Sequence, residues 1–178
     1  MNITKTLKDE HKNILKVAEL IEKECNMIKS GKNIDKDFFN KSVYFIRYYA
    51  DKLHHAKEED ILFGELCKED ANKKMHCNPV DQMLYEHNLG RDFVKNLEEA
   101  VNKNDKKSAV ENALAYVQLI REHIYKEDNI LYPMAEDAIN EDIKNKMLKK
   151  YNEAEKQKKD VKENCLDILK KFEKRKND

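Results

Sequence analysis

Apolar residues recur at three- and four-residue steps along most of this chain. That is the period of amphipathic helices, not the alternation of half-buried strands. Leu7, His11, Ile14, Leu15, Ala18, Ile21, Cys25 and Ile28 form one stripe, and Gly31 suits its C-terminal cap. Asp35 is the predicted N-cap of a second helix that runs to about Cys67, with Phe38, Val43, Ile46, Tyr49, Leu53 and Ile61 facing inward. Asn78-Pro79 reads as the N-cap and first-turn proline of a third helix ending near Asn104. A fourth starts at Asp105 or Ser108 and carries Val110, Leu114, Val117, Ile120, Ile124 and Leu131, until Pro133 ends or kinks it. From about Glu141 to Phe172 one more helical pattern carries Ile143, Met147, Tyr151, Ala154, Val161, Cys165, Ile168 and Leu169. Its middle, Glu155-Lys156-Gln157-Lys158-Lys159-Asp160, is wholly polar. Short connections favour antiparallel neighbours. The expectation is an all-α, up-down-up-down four-helix bundle over residues 1–138, with residues 139–178 as a C-terminal helical extension packed on the same domain.

Composition agrees with long helices. Of 178 residues, 40% are hydrophobic and 39% charged, enough for one core under a heavily solvated exterior. Gly 3 and Pro 2 are too few for the turns of a sandwich, barrel or doubly wound sheet. Lys+Arg 35 balances Asp+Glu 35, which removes the basic field that nucleic-acid binding needs. No run approaches the roughly 18 apolar residues of a membrane span. Met1-Asn2-Ile3-Thr4-Lys5 has no apolar leader core and reads as a cytoplasmic start. Cys25, Cys67, Cys77 and Cys165 lack a CxxC pair and read as reduced thiols. His76 and Cys77 with Cys67 match no tight zinc spacing.

An internal repeat carries the chemistry. His54-His55-Ala56-Lys57-Glu58-Glu59-Asp60-Ile61-Leu62-Phe63 aligns without gaps to His123-Ile124-Tyr125-Lys126-Glu127-Asp128-Asn129-Ile130-Leu131-Tyr132. A shorter echo sits on the partner helices, Glu10-His11 on the first and Glu86-His87 on the third. Residues i and i+4 share a helix face about 6 Å apart, so His54/Glu58 and His123/Glu127 each point an imidazole and a carboxylate the same way. Either pair alone could be an ordinary surface interaction worth about 0.2–0.5 kcal/mol. Two copies, with both EH echoes at matching depth, instead describe a site for two metal ions: two imidazoles for each, and two glutamates to bridge them. Mixed imidazole and carboxylate ligation suits iron or manganese better than magnesium or structural zinc. Ferritin-like bundles use Glu-x-x-His at i,i+3; here the order is reversed and the step is four.

At these residues the chain resembles the hemerythrin-like, or HHE cation-binding, family over about residues 5–138. His54 to Phe63 is similar to its HHxxEExxLF signature, Glu86-His87-Asn88-Leu89-Gly90-Arg91 to its EHxxGR segment, and His123-x-x-x-Glu127-x-x-x-Leu131-Tyr132-Pro133 to its closing HxxxExxLFP. The resemblance implies a four-helix bundle holding a non-haem di-iron centre, oxo- or hydroxo- and carboxylate-bridged, in which manganese or zinc could substitute. Its implied ligands are His11, His54, Glu58, His87, His123 and Glu127. His55, about 100° around the helix from His54, is either a seventh ligand, as in some iron-sensing relatives, or a neighbour of the site. Glu59, Glu10 and Glu86 are candidates to support the ligands. Oxygen carriers of the family add an HxxxH pair on the third helix; here Arg91 stands four residues after His87. Fewer imidazoles favour redox reaction over carriage. The expected partner is a small diatomic ligand (O2 or NO) or peroxide, in sensing or detoxification. Alternatives are an iron-handling module for repair or iron sensing, and a helical interaction protein without metal. Phe38, Phe39, Tyr44, Tyr48 and Tyr49 read mainly as core, with Tyr48 or Tyr116 as candidates to line the pocket. The C-terminal helix either covers the bundle or joins two copies as a homodimer.

Overall fold

The computed structural model describes residues 2–68 and 79–175, and all regular structure among them is helical. The first arm is α1 (Lys5–Lys29). The second runs as α2 (Lys36–Phe45), a π-helical stretch (Ile46–His55), a π turn (Glu58–Leu62) and α3 (Phe63–Leu66). The third is α4 (Val80–Asn102). The fourth joins α5 (Lys106–Lys126), a π turn (Glu127–Leu131) and α6 (Tyr132–Ala138). The C-terminal extension comprises α7 (Glu141–Gln157) and α8 (Lys159–Arg175).

Local chemistry sets the ends. Asp35, Asp105 and Asn140 accept from the backbone N–H three residues on, at 3.0, 3.1 and 3.0 Å, which satisfies one otherwise orphaned donor in each first turn. Asp105, rather than Ser108, therefore caps the fourth arm. α1 ends in a Schellman motif: Lys32 N–H reaches Met27 O, Gly31 N–H reaches Ile28 O, and Gly31 takes φ 108°. Asn104 does the same after α4 at φ 57°, with Asp105 N–H on Ala100 O.

Polar pairs between arms give their directions. Glu22–Arg121 and His11–Asp128 run α1 antiparallel to the fourth arm. Arg47–Glu98 and Glu59–Arg91 do so for the second and third, and Asn13–Tyr49 and Glu10–Lys57 for the first and second. The bundle is up-down-up-down, as expected. One apolar cluster takes residues from Ile14 onward in α1, up to Leu53 in the second arm, from Val94 in the third and up to Ile124 in the fourth. A second takes Ile3 and Leu7, Ile61 to Leu66, Val80 and Met83, and Leu131 to Ile139. The histidines and glutamates of the repeat lie between these segments on every arm, as a polar layer with an apolar core on each side.

Two features depart from the sequence reading. Pro133 does not end the fourth arm, because the π turn before it widens the backbone where a proline ring would meet a carbonyl; Tyr132 N–H bonds five residues back to Glu127 O, and the helix continues to Ala138. The helix expected over 141–172 is two helices, broken at Lys158 (φ −112°, ψ 18°). No apolar side chain between Ala154 and Val161 holds a straight rod there, and the two pieces dock in different places. α7 lies on the π turn Glu58–Leu62, and α8 on α1, α2 and the π-helical stretch. Asn78 lies outside the described residues, as do His76 and Cys77; Pro79 immediately precedes α4. No helix among the described residues is long and apolar enough to cross a membrane.

The extension covers the bundle: Cys165, Leu169 and Phe172 enter its larger apolar cluster, and the Phe172 ring centroid lies 4.6 Å from that of Phe38. Phe172→Ala should cost about 3–5 kcal/mol, read as a lower midpoint in denaturant at unchanged helix content.

Candidate metal centre

Each arm delivers an imidazole to the polar layer, the second arm two (His54 and His55), and the second and fourth each add a carboxylate. His11, His54, His87, His123, Glu58 and Glu127 are all buried, the two glutamates at 0% exposure. His11 Nε2 stands 2.9 Å from His54 Nε2, and His87 Nε2 stands 3.1 Å from His123 Nε2. Glu127 spans the two pairs, with Oε2 at 3.2 Å from His11 Nε2 and Oε1 at 3.1 Å from His123 Nε2. Glu58 Oε2 lies 3.6 Å from both His54 Nε2 and His87 Nε2. Ligand atoms of His11, His54, Glu58 and Glu127 fall within 4.8 Å of one another, as do those of His55, Glu58, His87 and His123. These residues can hold metal in two groups that share Glu58.

The outer contacts fix how the imidazoles face. Four carboxylates accept from the four Nδ1 atoms: Asp128 from His11 at 3.0 Å, Glu10 from His54 at 3.0 Å, Glu59 from His87 at 2.7 Å and Glu86 from His123 at 2.8 Å. An ionised carboxylate only accepts, so each Nδ1 carries a proton and each Nε2 turns inward. The two halves repeat these contacts. The glutamate before His11 or His87 holds the histidine of the HxxxE segment beside it; the acid after Glu58 or Glu127 holds the histidine of an EH pair. Lys57 then donates to Glu10, and its counterpart Lys126 to Glu86.

Electrostatics makes the same demand. Burial and neighbouring charges, that of His11 first among them, hold His54 well below the usual histidine range, whereas contacts with Asp128 and Glu127 overcome burial and raise His11. Burial likewise lowers His87, while burial of His123 is outweighed by Glu127 and Glu86, which lift it to about 9. Within each facing pair one imidazole is held up and the other down, and their Nε2 atoms converge on a point where a cation would serve both. Burial and the Glu127 charge push Glu58 well up, and His123 and His11 hold Glu127 well down against burial. Glu58 Oε2 and both Glu127 oxygens have no hydrogen-bond partner. Orphaned buried acceptors are costly, and coordination to a cation would satisfy them. The donor set fits iron.

His55 stacks on His87 with ring centroids 3.8 Å apart, and neither of its ring nitrogens is hydrogen-bonded. It belongs to the His87/His123 half, where the repeat has Ile124 in its place. Two groups escaped the sequence reading. Tyr132 donates to Glu58 Oε1 at 2.5 Å and lies 3.3 Å from His11 Nε2; its repeat counterpart, Phe63, stacks near His87 instead. The alignment of Phe63 with Tyr132 was the signal for it. Asp128 holds His11 as Glu59 holds His87, which the same alignment also encoded. Arg91, which replaces the carriers' histidine, donates to Asp51 and Glu59 at 2.6 and 2.7 Å. Of the pocket candidates, Tyr116 lines the cavity beside His87 and His123. Tyr48 packs against the Tyr44 ring instead, the two rings tilted by 30°.

The hemerythrin HHE cation-binding domain model matches residues 2–135, and the chain belongs to that family. No curated protein and no solved structure gives a match.

Against burial, the His55 contact and Arg91 bring Asp51 down to about 2, and the His87 N–H and Arg91 hold Glu59 at about 2. Depressed carboxylates stabilise the fold above their ordinary range near 4, and that stability is lost as pH falls toward 2. In Arg91→Met both acids should titrate nearer 4, raising the midpoint of acid unfolding by roughly half a pH unit, as followed by circular dichroism.

Proposed function

We propose that this member of the hemerythrin family is a non-haem di-iron protein that binds or reacts with O2, NO or peroxide in sensing or detoxification. The observation that carries the reading is a cavity of about 300 Å³ beside one half of the centre, lined by His55, His87 and His123, by apolar side chains such as Val94 and Ile120, and by charged ones such as Asp51 and Arg91. Small neutral ligands suit the apolar part of such a pocket. The bound iron pair would supply electrons to the ligand and a site for it.

The protein's own groups set the conditions. His11 and His54 would hold one ion, His87 and His123 the other, with Glu58 and Glu127 across both. Tyr132 orients Glu58 through its hydrogen bond to Oε1. The Tyr116 hydroxyl, buried in the cavity wall without a partner, is available as a hydrogen-bond donor to an incoming ligand. Apolar clusters above and below keep bulk water from the layer.

Anaerobically purified protein should carry close to two irons per chain by elemental analysis, with an oxo-bridge absorption developing in air and a reversible optical change with NO. Absence of iron after reconstitution would remove the reading. His54→Ala and His123→Ala should each lower bound iron by about one equivalent or more.

Access can be tested separately. A Cβ at Gly90 would meet Leu119 at 3.6 Å and Tyr116 at 3.8 Å, ordinary contacts, so Gly90→Ala should be neutral. Gly90→Leu should fill the cavity and slow NO or azide binding about tenfold or more at unchanged iron content, as measured by stopped-flow absorbance; an unchanged rate would place the entrance elsewhere.

A further inference from the structure

The two halves match closely around the imidazoles but not one layer further out. Lys126, which donates to Glu86, is 34% exposed, with Gln82 as the other donor to Glu86 Oε1. Its counterpart Lys57 is 1% exposed and sits between two carboxylates, Glu10 Oε1 and Glu155 Oε1, each at 2.5 Å. Glu155 belongs to α7. Its other oxygen accepts from Lys162 of α8 at 2.5 Å, and Lys162 Nζ also stands 3.7 Å from Glu10. A chain of alternating charge therefore runs from the C-terminal extension to an imidazole of the centre: Lys162, Glu155, Lys57, Glu10, His54.

The placement is not incidental to packing. Tyr151 and Glu155 are four residues apart and share one face of α7, the face laid on the π turn that begins with Glu58. Tyr151 is buried at 2% exposure, and its hydroxyl has no hydrogen-bond partner. The break at Lys158 lets α8 fold back so that Lys162 meets Glu155. A buried ammonium such as Lys57 is tolerated only when paired on all sides, and half of that pairing comes from residues beyond the bundle.

We propose that the C-terminal extension is a built part of one half of the metal centre, with Glu155 a positioning residue that acts through Lys57 and Glu10 on His54, so that the His11/His54 position releases metal more slowly than the His87/His123 position. The physical reason is local. With Glu155 neutral, Lys57 and Lys162 are left with Glu10 as their shared counter-charge. Glu10 is drawn toward the ammonium groups, its hold on the His54 Nδ1–H weakens, and the imidazole becomes a poorer donor. Outer partners of this kind change metal affinity by about 10–100-fold.

This inference rests on the metal-centre reading, and release kinetics separate the two. The full chain is loaded anaerobically with Fe(II), and transfer to an excess of a colorimetric chelator is followed in time. The unsubstituted protein should give two phases of one equivalent each. Glu155→Gln should accelerate the slow phase about tenfold and leave the fast one, Glu155→Asp should restore it, and Lys126→Met should leave the slow phase unchanged. Glu163→Gln, on an exposed α8 ion pair, should match the unsubstituted protein. In Co(II)-loaded Glu155→Gln, the visible absorption of one equivalent should shift, a change that loosened packing alone would not confine to one ion. Uptake of two equivalents with unchanged release in folded Glu155→Gln, or equal acceleration of both phases, would overturn this inference alone. Failure of the unsubstituted chain to take up metal would overturn the metal-centre reading and this inference with it.

Discussion

The facing of histidine Nε2 atoms across the bundle, 2.9 and 3.1 Å apart in two pairs, is the constraint on which the rest of the structure depends. Imidazoles and carboxylates are costly in an apolar interior unless their charge and hydrogen-bonding capacity are met. Outward, the requirement is met by four carboxylates, one per Nδ1. Inward, Glu127 lies within 3.2 Å of one Nε2 of each pair. The apolar clusters above and below hold the arms at the distance that makes these contacts, so core and centre stabilise each other.

Regular α-helices alone do not deliver this layer. The backbone widens into π-helical segments at Ile46–His55, Glu58–Leu62 and Glu127–Leu131, and the last two begin at the two glutamates that span the histidine pairs. A π turn inserts a residue into the α register and rotates the next stretch of helix about its axis. It therefore changes which side chains beyond the glutamate face inward, bringing Tyr132 to Glu58 on one side and Phe63 toward His87 on the other. The duplication keeps its imidazole geometry while the residues that differ between copies, His55 against Ile124 and Phe63 against Tyr132, make the halves unlike. One side gains a spare imidazole and a cavity. The other gains a phenol and a cover from α7.

Much of the centre was legible because it is repetitive. The gapless alignment of His54–Phe63 with His123–Tyr132 and the EH echoes identified the residues that meet, and helix periodicity placed them on inward faces. Asp128 and Tyr132 were encoded in the same alignment, but their roles depend on which neighbouring arm each reaches, and a one-dimensional repeat does not say. The π turns were not legible, because hydrophobic spacing at this length does not separate 3.6 from slightly more residues per turn. The polar run Glu155–Asp160 offered no packing face. Its meaning lies in a buried lysine far away in the chain.

The sequence by itself determined the helical class, the number and direction of the bundle arms, the caps at Asp35 and Gly31 and the inward set of histidines and glutamates. All of these come from periodicity, short connections and side-chain type, which act over a few residues. Only the tertiary structure decided which carboxylate orients which imidazole, that Arg91 anchors Glu59, that the fourth arm passes through Pro133 and that the extension breaks at Lys158 to place Glu155 on Lys57. Those outcomes depend on distances between segments remote in the chain, set by how the arms pack and by the requirement that every buried charge find a partner.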